Sequence, residues 1–302
     1  MESCAGASAR ELSVDMRTVI LASLALTLSS PGQEKSTLEF WNKGAEISSY
    51  TLKQSRYGEV HEGHAELIFV KEPFLISEQV KDEQGRGAST PVLKLNALRT
   101  FNTGLYSYRT MTSVFRPFDL QKFPHALKAT TSVQDWCGQA FQQFNWRDTL
   151  WDFQLRSYFD HEGDREGKLS KAYLEDELFL MVRLDPQTLP IGPFDIIPSG
   201  LGSRFSHRSV QVEKASGSLS SEGAMWTYTV IYKEDEPSRF LSISFDSQFP
   251  HIIRKWSERV VPGGAVTSAT LKRQLKNSYY WQRNSPSDTE ERRTLGLAPL
   301  PN

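Results

Sequence analysis

Cysteine is nearly absent: Cys4 and Cys137 are the two thiols of a 302-residue chain, too few for a disulfide framework. An excess of charge is absent as well. Lys and Arg number 35 against 36 Asp and Glu, for a net charge of -1. That balance gives a nucleic-acid polyanion no electrostatic footprint, so nucleic acid is not an expected partner. The short basic runs Lys272-Arg273 and Arg292-Arg293 read as solvated faces. The chain also lacks a Gly-rich phosphate cradle, a Walker lysine motif and a Gly-x-Ser-x-Gly elbow. No cofactor is implied, and the case for catalysis is weakened. Beyond residue 32 no apolar run reaches the roughly 20 residues of a membrane-spanning helix, so no membrane span is expected.

One apolar run is present near the start. Met16-Arg17 precedes the uncharged stretch Thr18 to Leu28, which gives way to Ser29-Ser30-Pro31-Gly32. A short cationic region, an apolar run of about 7–15 residues and a small-residue exit describe a secretory signal peptide. The expectation is an exported protein, periplasmic or secreted. Translation would start at Met16, residues 1–15 would be an upstream extension, and cleavage would follow Gly32. Cys137 would then be the lone thiol of the mature chain and could form no internal disulfide.

From Ala45 onward the repeating signal has period two, as in strands with one buried face. Trp151, Phe153 and Leu155 point one way while Asp152, Gln154 and Arg156 point the other. Trp226, Tyr228 and Val230 share a face, as do Leu241, Ile243 and Phe245 beside Phe240. Glu234-Asp-Glu-Pro237 and Pro262-Gly263-Gly264 supply turns, so Ala224 to Tyr280 reads as a meander of about four strands. Leu174, Leu178 and Met181 fall at helical spacing, which predicts a short helix over residues 172–182. Pro186, Pro190, Pro193 and Pro198 then mark a long connection.

The fold class expected is mainly β: a large curved antiparallel sheet or half-barrel with one or two short helices. A two-sheet sandwich is the alternative. Residues 33–284 form the β domain, with a junction between two halves near 185–200. Residues 285–302 read as a disordered tail.

Several clusters invite chemistry and are read conservatively. His61-Glu62-Gly63-His64 has histidines three apart rather than one helical turn apart, so it reads as a polar hairpin tip and not a metal site. Cys137 reads as a buried strand cysteine, since His125 and His161 stand in no sequence relation to it that suggests a catalytic pair. Glu175-Asp176-Glu177 reads as a solvated helix face, and Asp160 to Glu166 as an exposed turn without the ligand spacing of a calcium loop. No catalytic residue or metal ligand is assigned.

The chain resembles a bacterial family of exported proteins of unknown function. The resemblance rests on Trp41-Asn-Lys-Gly-Ala-Glu-Ile47, Tyr50-Thr-Leu-Lys-Gln54, Arg56-Tyr-Gly-Glu59 and Glu62-Gly-His-Ala65. It continues through Leu67-Ile-Phe-Val70, Lys94-Leu-Asn96, Phe101-Asn-Thr-Gly104, Trp136-Cys-Gly138 and Leu174-Glu-Asp-Glu-Leu178. Members are sometimes labelled septum formation inhibitor Maf, which would imply a cytosolic nucleotide pyrophosphatase of α/β fold. The β-rich pattern, the export signal and the lack of a Ser-Pro-Arg-Arg motif argue against that label here. At fold level only, the curved sheet resembles the half-barrels of periplasmic lipoprotein carriers, which bind acyl chains.

The functional expectation is a binding protein whose concave sheet face takes a lipid or other apolar envelope molecule. The expected ligand-binding residues are Trp151, Phe153, Leu155, Trp226, Tyr228 and Leu241. An envelope structural or assembly protein and an unrecognised hydrolase are the alternatives, and the pattern carries no information on oligomeric state.

Overall fold

Among the described residues, alternation of apolar and polar residues builds sixteen strands. They are β1 (Ala45–Arg56), β2 (Glu59–Leu75), β3 (Val80–Lys81), β4 (Ser89–Thr103), β5 (Tyr106–Pro117), β6 (Lys128–Asp135), β7 (Gly138–Arg147) and β8 (Leu150–Ser157). Then come β9 (Arg165–Ser170), β10 (Tyr173–Leu174), β11 (Gly192–Ile197), β12 (Glu213–Glu222), β13 (Met225–Tyr232), β14 (Phe240–Asp246), β15 (Ile253–Arg259) and β16 (Thr267–Ser278). This computed structural model describes residues 37–297 apart from 86, 161 and 234–237. The expected signal segment, its cleavage site and the Glu234-to-Pro237 turn lie outside the described residues.

All sixteen strands join one sheet, in the order β10-β11-β12-β13-β14-β15-β16-β1-β2-β4-β5-β6-β7-β8-β9, with β3 appended to β2. The pairings are antiparallel except for the short β10–β11 contact. The expected C-terminal meander is present as β13 to β16, and one curved sheet stands in place of a sandwich. The first and last strands in sequence, β1 and β16, are not its edges but neighbours in its middle. The seam of the sheet is the pairing of β1 with β16, from Ala45 opposite Ser278 to Lys53 opposite Ser268.

The sheet is bent round on itself. Arg99 on β4 reaches Glu258 on β15 at 3.2 Å, although four strand spacings, about 19 Å on a flat sheet, separate these strands. At the far side β9 ends at Ser170 and β10 begins at Tyr173, on the opposite edge. Three Cα steps cover no more than about 11 Å, so the two edges nearly meet without closing a barrel.

The space inside is occupied by the segments 175–191 and 198–206, on either side of β11. Their helix Leu178–Leu184 buries Leu178, Leu180, Met181 and Val182, and the helix Gly200–Ser206 follows β11. The predicted helix over 172–182 thus becomes a two-residue strand, a 3-10 turn at Glu175–Glu177 and a helix that begins later. The expected junction near 185–200 falls within this internal plug, while the sheet runs on unbroken through β11. Glycine permits the closest approaches: a Cβ on Gly200 would sit 2.7 Å from the Thr131 Cβ of β6.

The C-terminal segment departs from the expected disordered tail. Residues 290–294 form a helix, Leu295 is buried, and its carbonyl accepts a bond from Ser49 Oγ at 2.6 Å. Lys272 Nζ donates to Gly296 O at 3.0 Å. The segment therefore lies on the outer face of β16 and β1, and residues 298–302 lie outside the described residues.

Candidate functional site

The six expected ligand-binding residues point into the plug-filled interior. Trp151, Phe153, Leu155, Tyr228 and Leu241 are buried in the core, and Trp226 is half-buried against Phe245. Trp151 packs on Trp146 and Phe144, and its indole N–H donates to Ala172 O at 3.0 Å. Tyr228 donates to Pro190 O at 2.7 Å. Trp151 and Phe153 on β8 and Tyr228 and Leu241 on β13 and β14 belong to opposite halves of the sheet, with plug residues between them. Interior spaces of about 20, 30 and 10 Å³ remain, room for a water molecule or two each.

The three consecutive carboxylates are also interior, which corrects their reading as a solvated helix face. Glu175 and Glu177 are buried and Asp176 is half-buried. Glu177 accepts from Arg116, from the Ala126 backbone N–H at 2.7 Å and from the Leu174 N–H at 3.1 Å, with His125 Nδ1 at 3.4 Å. Burial alone would raise its pKa, but the Arg116 guanidinium and these donors more than offset that and hold it below the ordinary range. Glu175 accepts from Tyr232, and burial pushes its pKa up to about 7. Asp176 accepts from Gly200 N at 3.1 Å and is pushed by burial to about 6. Glu175 and Asp176, with Arg99, Glu258 and Trp256, line the space of about 30 Å³. The network ties the plug to β5 through Arg116 and to β13 through Tyr232.

The other polar motifs are placed differently from expectation. His61 and His64 lie within β2, and the hairpin turn is at Tyr57–Gly58 instead. They face opposite sides: His61 lies over Phe101, while His64 points outward beside Glu66. Cys137 is exposed in the β6–β7 turn rather than buried on a strand. Among the described residues no group of three or more His, Cys, Asp or Glu could hold a metal ion.

An opening large enough for a ligand lies on the outer face among the described residues. It is an open groove of about 720 Å³. Its floor is set by register. Glu66, Leu98, Met111, Ser132, Phe141 and Arg156 form one cross-strand row from β2 to β8, and His64, Thr100, Arg109, Gln134 and Gln139 form the next. The first row spans five strand spacings, about 24 Å. Arg292 of the C-terminal helix contributes one wall.

Charge and apolar surface are separated within this groove. Leu98, Met111 and Phe141 present apolar atoms at outward positions, where polar residues are the rule on a wet face. Arg109, Arg156 and Arg292 stand around them. Arg156 is paired with Glu166, and among the described residues Arg109 makes no ion pair. Glu66 is buried under the C-terminal segment, with His64 Nε2 at 3.7 Å. Burial raises its pKa to about 7 against the opposing pull of Arg292. Burial, then Arg292 and Lys272, depress the pKa of His64. Sequence reading missed this site because each strand's apolar majority faces inward. The signal was one out-of-phase apolar residue per strand at Leu98, Met111 and Phe141.

Comparison with protein-family models, curated proteins and solved structures gives no match to the chain.

Proposed function

We propose that the protein binds an amphiphilic envelope molecule in the outer groove: an apolar body such as an acyl chain, carrying an anionic group. The observation that carries this reading is the row Leu98, Met111 and Phe141 on the floor of a groove of about 720 Å³ bordered by arginines. That volume lies within the range of small-molecule sites, which are mainly apolar with a few placed polar groups. Arg109, free of a carboxylate partner, meets the anionic group, since a guanidinium donates to carboxylate or phosphate in a fixed fork. The apolar body lies across the strands over Met111 and Phe141, where it removes exposed apolar surface from water. The reading keeps the expected ligand class and an exported location, and moves the binding surface from the inner face of the sheet to the outer one.

The test is to purify the exported protein gently, extract it with organic solvent and assay the extract by mass spectrometry against a control protein. A stoichiometric acyl-bearing species is expected. Met111→Glu places a carboxylate on the apolar floor and should weaken binding of a fluorescent long-chain fatty acid at least tenfold, about 1.4 kcal/mol. Its melting temperature should stay close to that of the parent, because Met111 faces outward. A clean extract, together with no binding of added fatty acid or anionic phospholipid, overturns the proposal.

A further inference from the structure

Five hairpin turns at one end of the sheet each carry an exposed apolar side chain. The up-and-down path brings the β15–β16, β1–β2, β4–β5, β6–β7 and β8–β9 turns to the same end, side by side. They carry Val261, Tyr57, Leu105, Trp136 and Tyr158, which are exposed by 42%, 62%, 84%, 69% and 78%. Neighbouring tips are two strand spacings apart, about 10 Å, so together they make a rim about 40 Å long around the bent sheet.

These tips are held in place. Asp135 Oδ1 accepts from Cys137 N at 2.6 Å and Gly138 N at 3.2 Å, which fixes the turn that presents Trp136. Gly138 lies under the Tyr158 ring, where a Cβ would come within 2.8 Å of it. The Tyr57 hydroxyl pairs with Tyr108 at 2.7 Å and accepts from Tyr106 at 3.0 Å. At the opposite end Phe249 packs on Phe40 at 5.1 Å and Tyr279 on Trp281 at 5.4 Å, and none of the exposed aromatics there exceeds 46% exposure, against 62–84% at four of the five rim tips.

We infer that this rim docks the protein on a lipid bilayer, with the five tips seated at headgroup depth. A row of outward apolar side chains marks a contact surface, and its form favours a fluid partner. Five separate protrusions about 10 Å apart would need five matching pockets on a solid protein face, whereas a lipid interface yields to each one. Gly104-Leu105, Trp136-Cys137 and Val261-Pro262-Gly263 carry no formal charge, so seating them desolvates no ion. In the β8–β9 turn Tyr158 and Phe159 precede Asp160, Glu162 and Asp164, which set a shallow depth by staying in water. Trp and Tyr suit that depth, since each joins an apolar ring to a polar handle. The groove lies directly behind the rim: Arg109, Gln134, Gln139 and Arg156 sit on strands that end in these turns. A molecule passing between bilayer and groove would cross the tips. The inference rests on the groove reading for the cargo alone.

The full exported chain, mixed with vesicles of phosphatidylethanolamine and phosphatidylglycerol, should co-float with them. An environment-sensitive fluorophore on Cys137, with Cys4→Ser where that residue is retained, should shift to the blue when vesicles are added. Leu105→Ser and Trp136→Ser should each reduce the floated fraction several-fold at unchanged melting temperature, and the triple variant with Tyr158→Ser should abolish it. Met111→Glu should lose the amphiphile yet still float, so the two readings fail separately. Absence of flotation, an unmoved label, or a dimer in solution that Trp136→Ser dissolves would each overturn the inference.

Discussion

At Arg116 and Glu177 the protein takes two charges fully out of water. Desolvation of such a pair is offset only by close contact and by hydrogen bonds to what remains of each group. Glu177 has three such donors besides Arg116, and Arg116 Nη2 donates to Pro124 O at 3.1 Å. Glu177→Gln strands the guanidinium and should cost about 3–5 kcal/mol in urea unfolding. The pH dependence has two opposed parts. Glu177, held low, contributes stability that is complete above its unfolded value of about 4.3 and is lost as pH falls through its lower folded value. Glu175, raised to about 7, and Asp176, raised to about 6, contribute stability that is complete below about pH 4 and is lost as pH rises through those values. Glu66 adds to the same loss from the groove. His64, His207 and His251, whose pKa values burial lowers, oppose that loss up to about pH 6.5. The carboxylate part therefore shows most clearly from pH 6.5 to pH 8, where stability should fall and Glu175→Gln should flatten the fall in urea midpoints. An unchanged slope in that variant would remove Glu175 from the account. These roles were not legible in sequence, where Glu175-Asp176-Glu177 reads as a wet helix face. Their partners Arg116 and Tyr232 lie some 60 residues to either side.

Among elements, the helix Leu178–Leu184 is too short to be stable by itself. It persists through its burial and through Arg183, which donates to both Glu46 carboxylate oxygens and lies over the Phe69 ring at 4.6 Å. Leu178→Ala should cost about 2–5 kcal/mol, because the cavity it opens has plug on one side and sheet on the other and cannot collapse. The strands were largely legible, since period two survives wherever one face is buried. Trp151, Phe153 and Leu155 do share the inner face opposite Asp152, Gln154 and Arg156. What that face packs against was not legible. An inward aromatic row looks the same over a ligand as over a plug, and the plug's prolines disguise it as a linker. The groove was hidden for the converse reason, as its apolar residues are single departures from pattern in separate strands.

Over the whole molecule, protection should grade from seam to edge. β9 has one pairing neighbour and mostly exposed side chains, whereas β1 lies between β2 and β16. Amide hydrogen exchange should be fastest in Arg165–Ser170 and slowest in Ala45–Lys53, since opening energies fall where few buried contacts hold a strand. Equal rates in the two would contradict a continuous sheet. Strand order was legible within the C-terminal meander and not across the seam, because β1 and β16 are joined by register and by no turn.

For a chain delivered amino terminus first, β1 is made early and one of its edges stays bare until Thr267–Ser278 arrives. Loop closure over more than 200 residues is slow, and an unpaired strand edge recruits other strands while it waits. A product that stops between Arg259 and Thr267 carries two open edges, at β1 and β15, in the middle of its future sheet. Such a fragment is a substrate for proteases or a seed for aggregates, not a half-working binder. Synthesis of this fold is all or nothing, decided by its last strand.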